Sequence, residues 1–581
     1  PLMLVIASSL TFASCSSEDK SADLVIYNNI FTAEKENNGL AEAIAVKDGK
    51  YVYVGNKEGA KSYIKEGKTE VIDDNGLLIP GCTEGHAHYI DGVGLNSQLP
   101  ANDKSYKDAL LVLKDKYNKE HIKQFVSFGW KTPDLDELRS KSHNFADEIE
   151  SNAPGIPSIL IDNAGHAAVV SRTALIRAGI TKDNPLVRGG AIDLDKDGNP
   201  TGYIGDQAVF YVVDKVTSNL LTDEQYVTAC TYGMNELLKY GYTNTVDAFT
   251  NMYDPLGVYR TLKQMDENHK LKINVAECFN IKSYDSSIYK ERINEVADIA
   301  KTYSSTHCDA SYIKLFVDGV VESGTGWIFD TYKFQKEGKE HGNIIWERPE
   351  LDALVSYANY KGLTIHAHTF GDAACCYAID SFINSNSLND AKFRNCLAHV
   401  RNIRDIDAQR AGDNGIPVAA NLIWHTDYNQ NDPESKKIRD RVRENMGPEL
   451  YDHGYPMKSL MDKGVVVSSS TDAPAAMDIP GSILNVIEVA TTGLAPEDDG
   501  IAYCPSELLT IEECLKALTI NGAWQVGLEN ERGSIKVGKY ADFVLIDKNI
   551  LNYKNEELRS IHKAKILGTY FEGEKVFPLI K

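Results

Sequence analysis

Residues 80–88 read Pro-Gly-Cys-Thr-Glu-Gly-His-Ala-His, a short apolar approach that ends in two histidines separated by one residue. In a β-strand, side chains at i and i+2 point to the same face, so His86 and His88 can offer two imidazoles to one metal ion from a strand end. An isolated HxH pair is a weak signal, because two ordinary surface histidines give the same pattern. The pair gains weight from the rest of the chain, where other short apolar runs also end in polar side chains.

The middle of the chain alternates short apolar runs with helical stretches, which is typical of a (β/α)8 TIM barrel in the α/β class. Eight barrel strands are predicted, at 77–80, 243–246, 273–276, 312–317, 364–366, 396–398, 416–420 and 465–468. The barrel is assigned to 76–529, far more than the roughly 250 residues of a plain barrel, so an inserted subdomain is predicted at about 130–220. Within it, 195–202 is interpreted as a surface turn rather than a calcium loop, because no EF-hand spacing follows.

Both ends of the chain are β-rich. Residues 43–55 place Asp48 and Gly49 between two apolar runs, which indicates a hairpin, and a similar pattern returns between 533 and 577. We therefore expect 23–75 and 530–581 to form one small β-sandwich together, with the barrel inserted between its two halves.

Composition restricts the class of protein. The 581 residues with 43% hydrophobic content supply ample material for a buried core. The formal charge of −22 argues against a nucleic-acid partner, since an acidic surface repels phosphates and no basic patch offsets it. The ten cysteines show no CxxC or regular spacing, so most are expected to be core residues, with one or two bridges left open. These features favour an enzyme acting on a small molecule, and they leave open whether it forms a homo-oligomer.

The N-terminus indicates export. Residues 1–14 form an apolar stretch of the signal-peptide type that is too short to span a bilayer as a helix. Cys15 follows directly, and Phe-Ala-Ser-Cys at 12–15 resembles a bacterial lipobox, with 15–22 as a tether behind a lipidated Cys15. The alternative is a buried first strand followed by an ordinary cysteine. We predict an exported bacterial lipoprotein, held at the periplasmic face or the cell surface by its lipid anchor alone.

Polar residues at the ends of the predicted strands form the candidate site. Active sites of such barrels lie at the C-terminal ends of the strands, where these side chains converge. Imidazole nitrogens and a carboxylate suit zinc or a similar divalent ion. Besides His86 and His88, the candidates are Lys314, His368, His399 and Asp472.

Lys314 requires an explanation, because it lies inside an otherwise apolar strand and an unpaired buried ammonium is costly. One interpretation is an ion pair with Asp318 or Glu322. The other is a neutral amine in a dry pocket that has reacted with carbon dioxide, giving a carbamate that bridges two metals.

Structural alternatives exist for the other candidates. His368 could be a core imidazole bonded to the backbone, and for the neighbouring His366 this is the preferred interpretation. Asp472 could be the N-cap of a helix at 474–477.

Further segments carry a family resemblance over nearly everything after the tether. They are PGCTEGHAHY, DNAGHAAVVSRTALIRAGI, DGNPTGYIGDQA, IKLFVDGVVESGTG, IHAHTFGDAA, CLAHVRNIRDID, VVVSSSTDAPAAMDIPGSI, LLTIEECLKALTINGAWQVGLENERGSIKVGKYADFVLID and GTYFEGEKVF. In these segments the chain resembles the amidohydrolase superfamily, and within it the amidohydrolase family 3 branch that contains N-substituted formamide deformylase-like enzymes.

The resemblance implies one or two divalent metal ions, with zinc as the first candidate. It makes His86 and His88 ligands of one metal, Lys314 the carboxylated bridge, His368 and His399 ligands of the second, and Asp472 a ligand and the catalytic base. Lys314 and Asp472 are thus the expected catalytic residues. The chain departs from the family pattern at Glu84, where an aspartate is usual, and at Val246, where relatives often carry a histidine that contacts substrate.

The implied reaction is hydrolysis of the C–N bond of an amide, an N-substituted formamide or a cyclic amide. Water acidified by the metal attacks the carbonyl carbon as hydroxide, and Asp472 passes the proton to the leaving nitrogen. His166, in the insertion, is predicted to bind the substrate or the oxyanion, the alternative being a histidine that caps a helix start. Trp327 and Trp424 are candidates for an apolar wall but not for the catalytic set.

Two other functions stay open. One is a peptidase-like hydrolase of N-acyl amino acids or dipeptides, which a basic side chain over the barrel mouth would favour. The other is a metal-free, ligand-binding surface lipoprotein. The complete set of ligands argues against the second, because a site without chemistry has no reason to keep a costly buried lysine.

Overall fold

The computed structural model describes residues 20–578 except 103, 132–134, 164, 255, 336, 390–391, 428–429 and 475–478, and omits the side chains of 37, 136 and 434. The predicted signal peptide, Cys15 and most of the tether lie outside the described residues, so the lipoprotein assignment stays a prediction. Within the described residues, no helix combines the length and hydrophobicity that crossing a bilayer requires.

Twenty strands are present in the described residues. They are β1 Leu24–Phe31, β2 Leu40–Lys47, β3 Lys50–Gly55, β4 Glu70–Pro80, β5 Cys82–Ala87, β6 Phe125–Trp130, β7 Ser158–Asp162, β8 Ala167–Val170, β9 Gly190–Leu194, β10 Pro200–Asp206, β11 Tyr242–Asp247, β12 Asn274–Asn280, β13 Cys308–Phe316, β14 Thr364–Thr369, β15 Cys396–His399, β16 Val418–Ala420, β17 Val467–Ser469, β18 Phe543–Ile546, β19 Ile566–Phe571 and β20 Glu574–Phe577.

The α-helices lie mainly between these strands. They are α1 Lys57–Ala60, α2 Tyr106–Lys119, α3 Asp136–Ser140, α4 Phe145–Asn152, α5 Arg172–Arg177, α6 Gln207–Val216, α7 Asp223–Lys239, α8 Gly257–Glu267, α9 Tyr289–Tyr303, α10 Arg348–Tyr360, α11 Asp372–Asn389, α12 Asp405–Asp413, α13 Pro433–Met446, α14 Pro448–Asp452, α15 Met457–Asp462, α16 Ile483–Thr492, α17 Ile511–Lys516 and α18 Gly522–Gln525.

Strands from both ends of the chain share one seven-stranded sheet in the order β20-β19-β18-β4-β1-β2-β3. The predicted hairpin is confirmed: β2 and β3 pair antiparallel, and the turn residues Asp48 and Gly49 have φ of 51° and 75°. Because all seven strands belong to one hydrogen-bonded sheet, the two-layer sandwich expected from 23–75 and 530–581 stays a prediction.

The barrel consists of eight parallel strands in the order β5-β11-β12-β13-β14-β15-β16-β17. Each strand hydrogen-bonds to its neighbour, and the barrel is nearly closed between β17 and β5. Two backbone bonds just beyond these strands bridge the seam, from Asp472 N to His86 O (2.9 Å) and from His88 N to Ala473 O (2.7 Å). The end of the last strand is therefore tied directly to the HxH segment.

The predicted first barrel strand is wrong. Residues 77–80 belong to β4, which pairs with β18 and β1 in the seven-stranded sheet, and the barrel begins at Cys82. Gly81 separates the two strands at a point of close approach, since a Cβ there would lie 2.3 Å from Oγ1 of Thr243. An apolar run followed by glycine does not reveal which of two adjoining sheets it joins.

Residues 125–216, from β6 to α6, are called the insertion here. Their five strands form a separate sheet in the order β6-β7-β8-β10-β9, placed in the chain between β5 and β11. The predicted turn at Asp195 is confirmed, because Gly198 N donates to Asp195 O and β9 pairs antiparallel with β10. The inserted subdomain expected at about 130–220 stays a prediction.

Each sheet has its own buried cluster. Phe125, Trp130 and Phe145 belong to the cluster of the insertion, and Leu78 and Phe543 to that of the seven-stranded sheet. The nine described cysteines are all free thiols and eight of them are buried, as expected of small core residues.

A charged network joins the barrel to the seven-stranded sheet. Nδ1 of His307 lies 2.6 Å from Oδ1 of Asp266, and its Nε2 lies 3.2 Å from Oε1 of Glu572. Arg532 pairs with Glu572 and with Asp542, the latter at 2.6 Å. Burial alone would lower the pKa of His307, but Glu572 and Asp266 outweigh burial and raise it.

The network predicts a pH-dependent stability. A histidine whose pKa is raised in the folded state stabilises the fold fully below its unfolded pKa of about 6.5, and this contribution is lost as pH rises through the folded pKa. We expect His307→Gln to lower the free energy of unfolding by about 1–3 kcal/mol at pH 5.5 and by clearly less at pH 9. Urea unfolding at the two pH values measures this, with His121→Gln at an exposed position as the control. An equal loss at both pH values would contradict the prediction.

Candidate active site

A cavity opens at the carboxyl ends of the barrel strands, where such folds place their chemistry. All seven predicted site residues line it: His86, His88, His166, Lys314, His368, His399 and Asp472. These residues come from five barrel strands or the segments that follow them, and from the insertion. The sequence-based candidates are therefore brought together in space.

Asp472 contacts both histidines of the HxH pair. Its Oδ1 lies 3.3 Å from Nε2 of His86 and 3.2 Å from Nε2 of His88. Burial alone would raise the pKa of Asp472, but the bonds with His86 and His88 outweigh it and hold the pKa well below the usual value. Ligand atoms of His86, His399 and Asp472 all lie within 4.8 Å of one another.

The backbone at two of these residues is unusual. Asp472 has φ of 58° and His399 has φ of 76°, a region that residues other than glycine rarely adopt. The carboxylate of Asp472 bonds to histidines rather than capping a helix. The segment 475–478, which contains most of the alternative capped helix, lies outside the described residues.

Three imidazoles are oriented through Nδ1, which leaves Nε2 of His368 and His399 without a partner among the described residues, whereas Nε2 of His88 contacts Asp472. Nδ1 lies near Asp91 Oδ2 in His88 (3.3 Å), near Asp318 Oδ1 in His368 (3.1 Å) and near Asn421 Oδ1 in His399 (2.9 Å). Metal-binding histidines almost always have such a partner on the second nitrogen. Burial lowers the pKa of His368 and His399 well below the usual value, so both rings are neutral and have free lone pairs.

His366 has a different partner from the one predicted. It is buried, and its Nε2 lies 2.6 Å from Nδ1 of His86 instead of bonding to the backbone. It orients His86 as the polar neighbours orient the other three imidazoles. The signal that could have identified it is the repeated spacing in His366-Ala-His368, which places both rings on one face of β14.

Lys314 is fully buried inside the site. Its Nζ lies 3.3 Å from Nε2 of His86 and 4.8 Å from the ring centre of Phe316. Neither predicted partner pairs with it: the Asp318 carboxylate accepts three backbone N–H groups, and Glu322 is exposed. Among the described residues, Lys314 makes no ion pair with a carboxylate. Burial lowers its pKa to about 8, so a neutral amine is accessible near neutral pH.

The two departures from the family pattern have different consequences. Glu84 Oε1 accepts from the backbone N–H of His86 (3.3 Å) and of Thr471 (2.8 Å), which ties β5 to the segment after β17. Burial raises the pKa of Glu84 to about 8. Val246 is fully buried in a small apolar cluster with Ala276 and Cys278, and it is not part of the cavity wall.

His166 precedes strand β8 and not a helix, so the helix-capping alternative is wrong. Its ring centre lies 6.4 Å from that of His368, and its Nδ1 lies 3.0 Å from Oδ1 of Asp206. Burial alone would lower the pKa of His166, but Asp206 outweighs it and raises the pKa.

The apolar wall of the cavity consists of residues that the sequence did not indicate. They are Phe128, Phe210, Phe249, Met252 and Phe316. Trp327 packs on Tyr377 and Trp424 stacks on His399, and neither is among the described lining residues. No local signal identifies the wall, because its members come from separate parts of the chain and converge only in the folded protein.

The donor set fits a divalent transition metal. Neutral imidazoles and an ionised carboxylate are the ligands that zinc prefers. His86 and His399 are buried, have a lowered pKa, and already bond through Nδ1. His86, His399 and Asp472 satisfy the distance requirement for one ion as they stand.

Comparison with known proteins gives a consistent result. The sequence model of the amidohydrolase family matches residues 70–577. Protein LONG AFTER FAR-RED 3 of Arabidopsis thaliana is 25% identical over 96% of this chain and 92% of its own length. N-substituted formamide deformylase of Arthrobacter pascens is 25% identical over 95% of this chain and 97% of its own.

A solved structure shares the fold. An uncharacterized metal-dependent hydrolase from Pyrococcus horikoshii OT3 superposes with a TM-score of 0.68 at 20% identity, over 91% of this chain and 98% of that one. The family resemblance of the sequence motifs is thus confirmed, and the chain belongs to the amidohydrolase family as a metal-dependent hydrolase.

Proposed function

We propose that this enzyme hydrolyses the C–N bond of an uncharged amide that carries an apolar substituent, with an N-substituted formamide as the first candidate. The observation that carries the proposal is the position of Asp472. It lies in the cavity wall in contact with both His86 and His88, and four phenylalanines line the same cavity. A carboxylate held in this way can both bind a cation and move a proton.

The proposed metal-binding roles are those that the family resemblance implies. His86, His88 and Asp472 would hold one ion and His368 and His399 a second, with Lys314 between them. When bound, one or two divalent ions, with zinc as the first candidate, polarise the substrate carbonyl and acidify a water molecule. Asp472 takes the proton of the attacking water and passes it to the leaving nitrogen.

Lys314 would become a carbamate. Its neutral amine attacks the carbon of dissolved carbon dioxide, an N–C bond forms, and one proton leaves to solvent. The product is an anion where the protonated lysine would be a cation. An anion at this buried position is stabilised by neighbouring cations, whereas a protonated Lys314 has no carboxylate partner among the described residues.

The cavity wall favours a neutral substrate. Its apolar part is formed by four phenylalanines and Met252, and Lys314 is the only lysine or arginine among the described lining residues. A substrate carboxylate would lose its hydration here without gaining an arginine, or a lysine other than Lys314, as a partner among the described lining residues. This argues against the alternative of N-acyl amino acids or dipeptides. The relative from Arthrobacter pascens, whose name describes a formamide deformylase, supports the same choice.

Asp472→Asn tests the proton-transfer role. The amide cannot accept a proton, so we expect kcat to fall by about 100-fold or more. Activity is measured at saturating zinc with the bound metal quantified, because Asp472 is also a proposed ligand. Wild-type turnover by a variant that retains its metal would exclude the role.

A carbamate on Lys314 can be detected directly. After equilibration with 13C-bicarbonate, the metal-loaded protein should show a carbamate carbon signal by NMR. The signal should be absent in Lys314→Met, which has a side chain of similar length and no amine. A fully active, metal-loaded wild-type protein without the signal would contradict the carbamate.

Substrate class is tested with a matched pair. N-formylphenethylamine and N-formylphenylalanine differ only by a carboxylate. We expect kcat/KM for the neutral compound to be at least about 10-fold higher, because the carboxylate must be desolvated against a largely aromatic wall whose described residues include no arginine and no lysine but Lys314. A preference for the amino acid derivative would favour the peptidase-like alternative instead.

A further inference from the structure

Two motif segments of the insertion meet at the cavity through His166 and Asp206. The backbone N–H of Asp206 donates to the carbonyl of His166 (2.8 Å). The side-chain Oδ1 of Asp206 lies 3.0 Å from Nδ1 of the same histidine. Asp206 therefore fixes both the backbone and the ring of His166.

Asp206 adopts this position against its local preferences. It is the N-cap residue of α6, yet its carboxylate makes no capping hydrogen bond and bonds to His166 instead. Its φ of 49° and ψ of −127° lie in a region that favours glycine. An uncapped helix start and a strained backbone both destabilise the fold, and such features concentrate at functional sites.

The contact decides which nitrogen of His166 faces a ligand. Since a carboxylate accepts only, Nδ1 carries a proton toward Asp206. Nε2 has no hydrogen-bond partner among the described residues, and the ring lines the cavity beside His368 and Phe316. Nε2 is thus the nitrogen left for a group bound in the cavity.

We propose that Asp206 is a positioning residue that holds the ring orientation and the Nδ1 proton of His166, so that Nε2 of His166 contacts the amide group of the substrate. The inference rests on the proposed amide hydrolysis and extends it, because it gives the insertion a part in the reaction. His166 touches the substrate, and Asp206 acts through His166.

Kinetics of four variants test the proposal. Asp206→Asn keeps the shape of the side chain, and Asp206→Gly removes it while relieving the backbone. Both substitutions should lower kcat by about 10- to 100-fold and leave the metal content unchanged. The melting temperature of Asp206→Gly should be equal to or above that of the wild type. His166→Gln should be at least as defective, and adding Asp206→Asn to it should change kcat by less than about 3-fold, because the two residues act as one unit.

Asp266→Asn is the matched control. This substitution alters the pair of Asp266 with His307, and neither residue lines the cavity. The variant should therefore keep wild-type kcat. Wild-type kcat in both Asp206 variants would overturn the proposal. A loss of activity that only follows lost metal or lost folded protein would overturn it too.

A spectroscopic measurement separates this inference from the proposed function. In protein labelled with 15N-histidine, the His166 signals, assigned by their absence in His166→Gln, should report a protonated Nδ1, and Asp206→Gly should abolish this preference. If the metal-loaded wild type hydrolyses no amide, the proposed function fails while this result still supports the Asp206–His166 pair. An unchanged His166 spectrum in Asp206→Gly would overturn the pair itself.

Discussion

The contact of Asp472 with the two imidazoles of the HxH segment is the constraint on which the rest of the site depends. Asp472 Oδ1 lies within about 3.3 Å of Nε2 in both His86 and His88. The backbone of the same segment bonds to the strand end that carries these histidines, through Asp472 N and Ala473 O. The same few residues therefore close the barrel and bring the site residues together.

The ionisable side chains of the site lie where water is largely excluded. Most of them contact another polar or charged side chain. Burial lowers the pKa of His368 and His399, so these two rings are neutral, whereas Asp91 and Asp472 outweigh burial at His88 and raise its pKa to about 9. Glu84 is buried with a raised pKa, and Asp472 stays ionised because His86 and His88 bond to it. Lys314 is the exception, since its nearest polar neighbour is an imidazole. Burial destabilises its protonated form and lowers its pKa to about 8, and the proposed carbamate together with bound cations would balance the charge of the site.

The insertion contributes side chains to the cavity wall in addition to those of the barrel. The barrel supplies the candidate metal ligands from its strand ends, whereas the insertion contributes Phe128, Phe210 and His166 to the cavity wall. Folds of this kind change specificity through the segments that follow their strands, while the strands keep their geometry. The strained backbone of Asp206 lies in one of these segments, beside His166, which lines the cavity.

The sequence by itself predicted the barrel and the seven candidate residues that line its cavity, because apolar runs with a short period are local signals and parallel strands bring their ends to one place. It did not determine that residues 77–80 belong to the other sheet, that His366 bonds to His86, or that Asp206 holds His166. Only the tertiary structure decided these points, since each depends on a partner distant along the chain. Hydrogen-bond partners, backbone strain and the apolar wall are properties of the packed molecule, and no window of sequence contains both sides of such contacts.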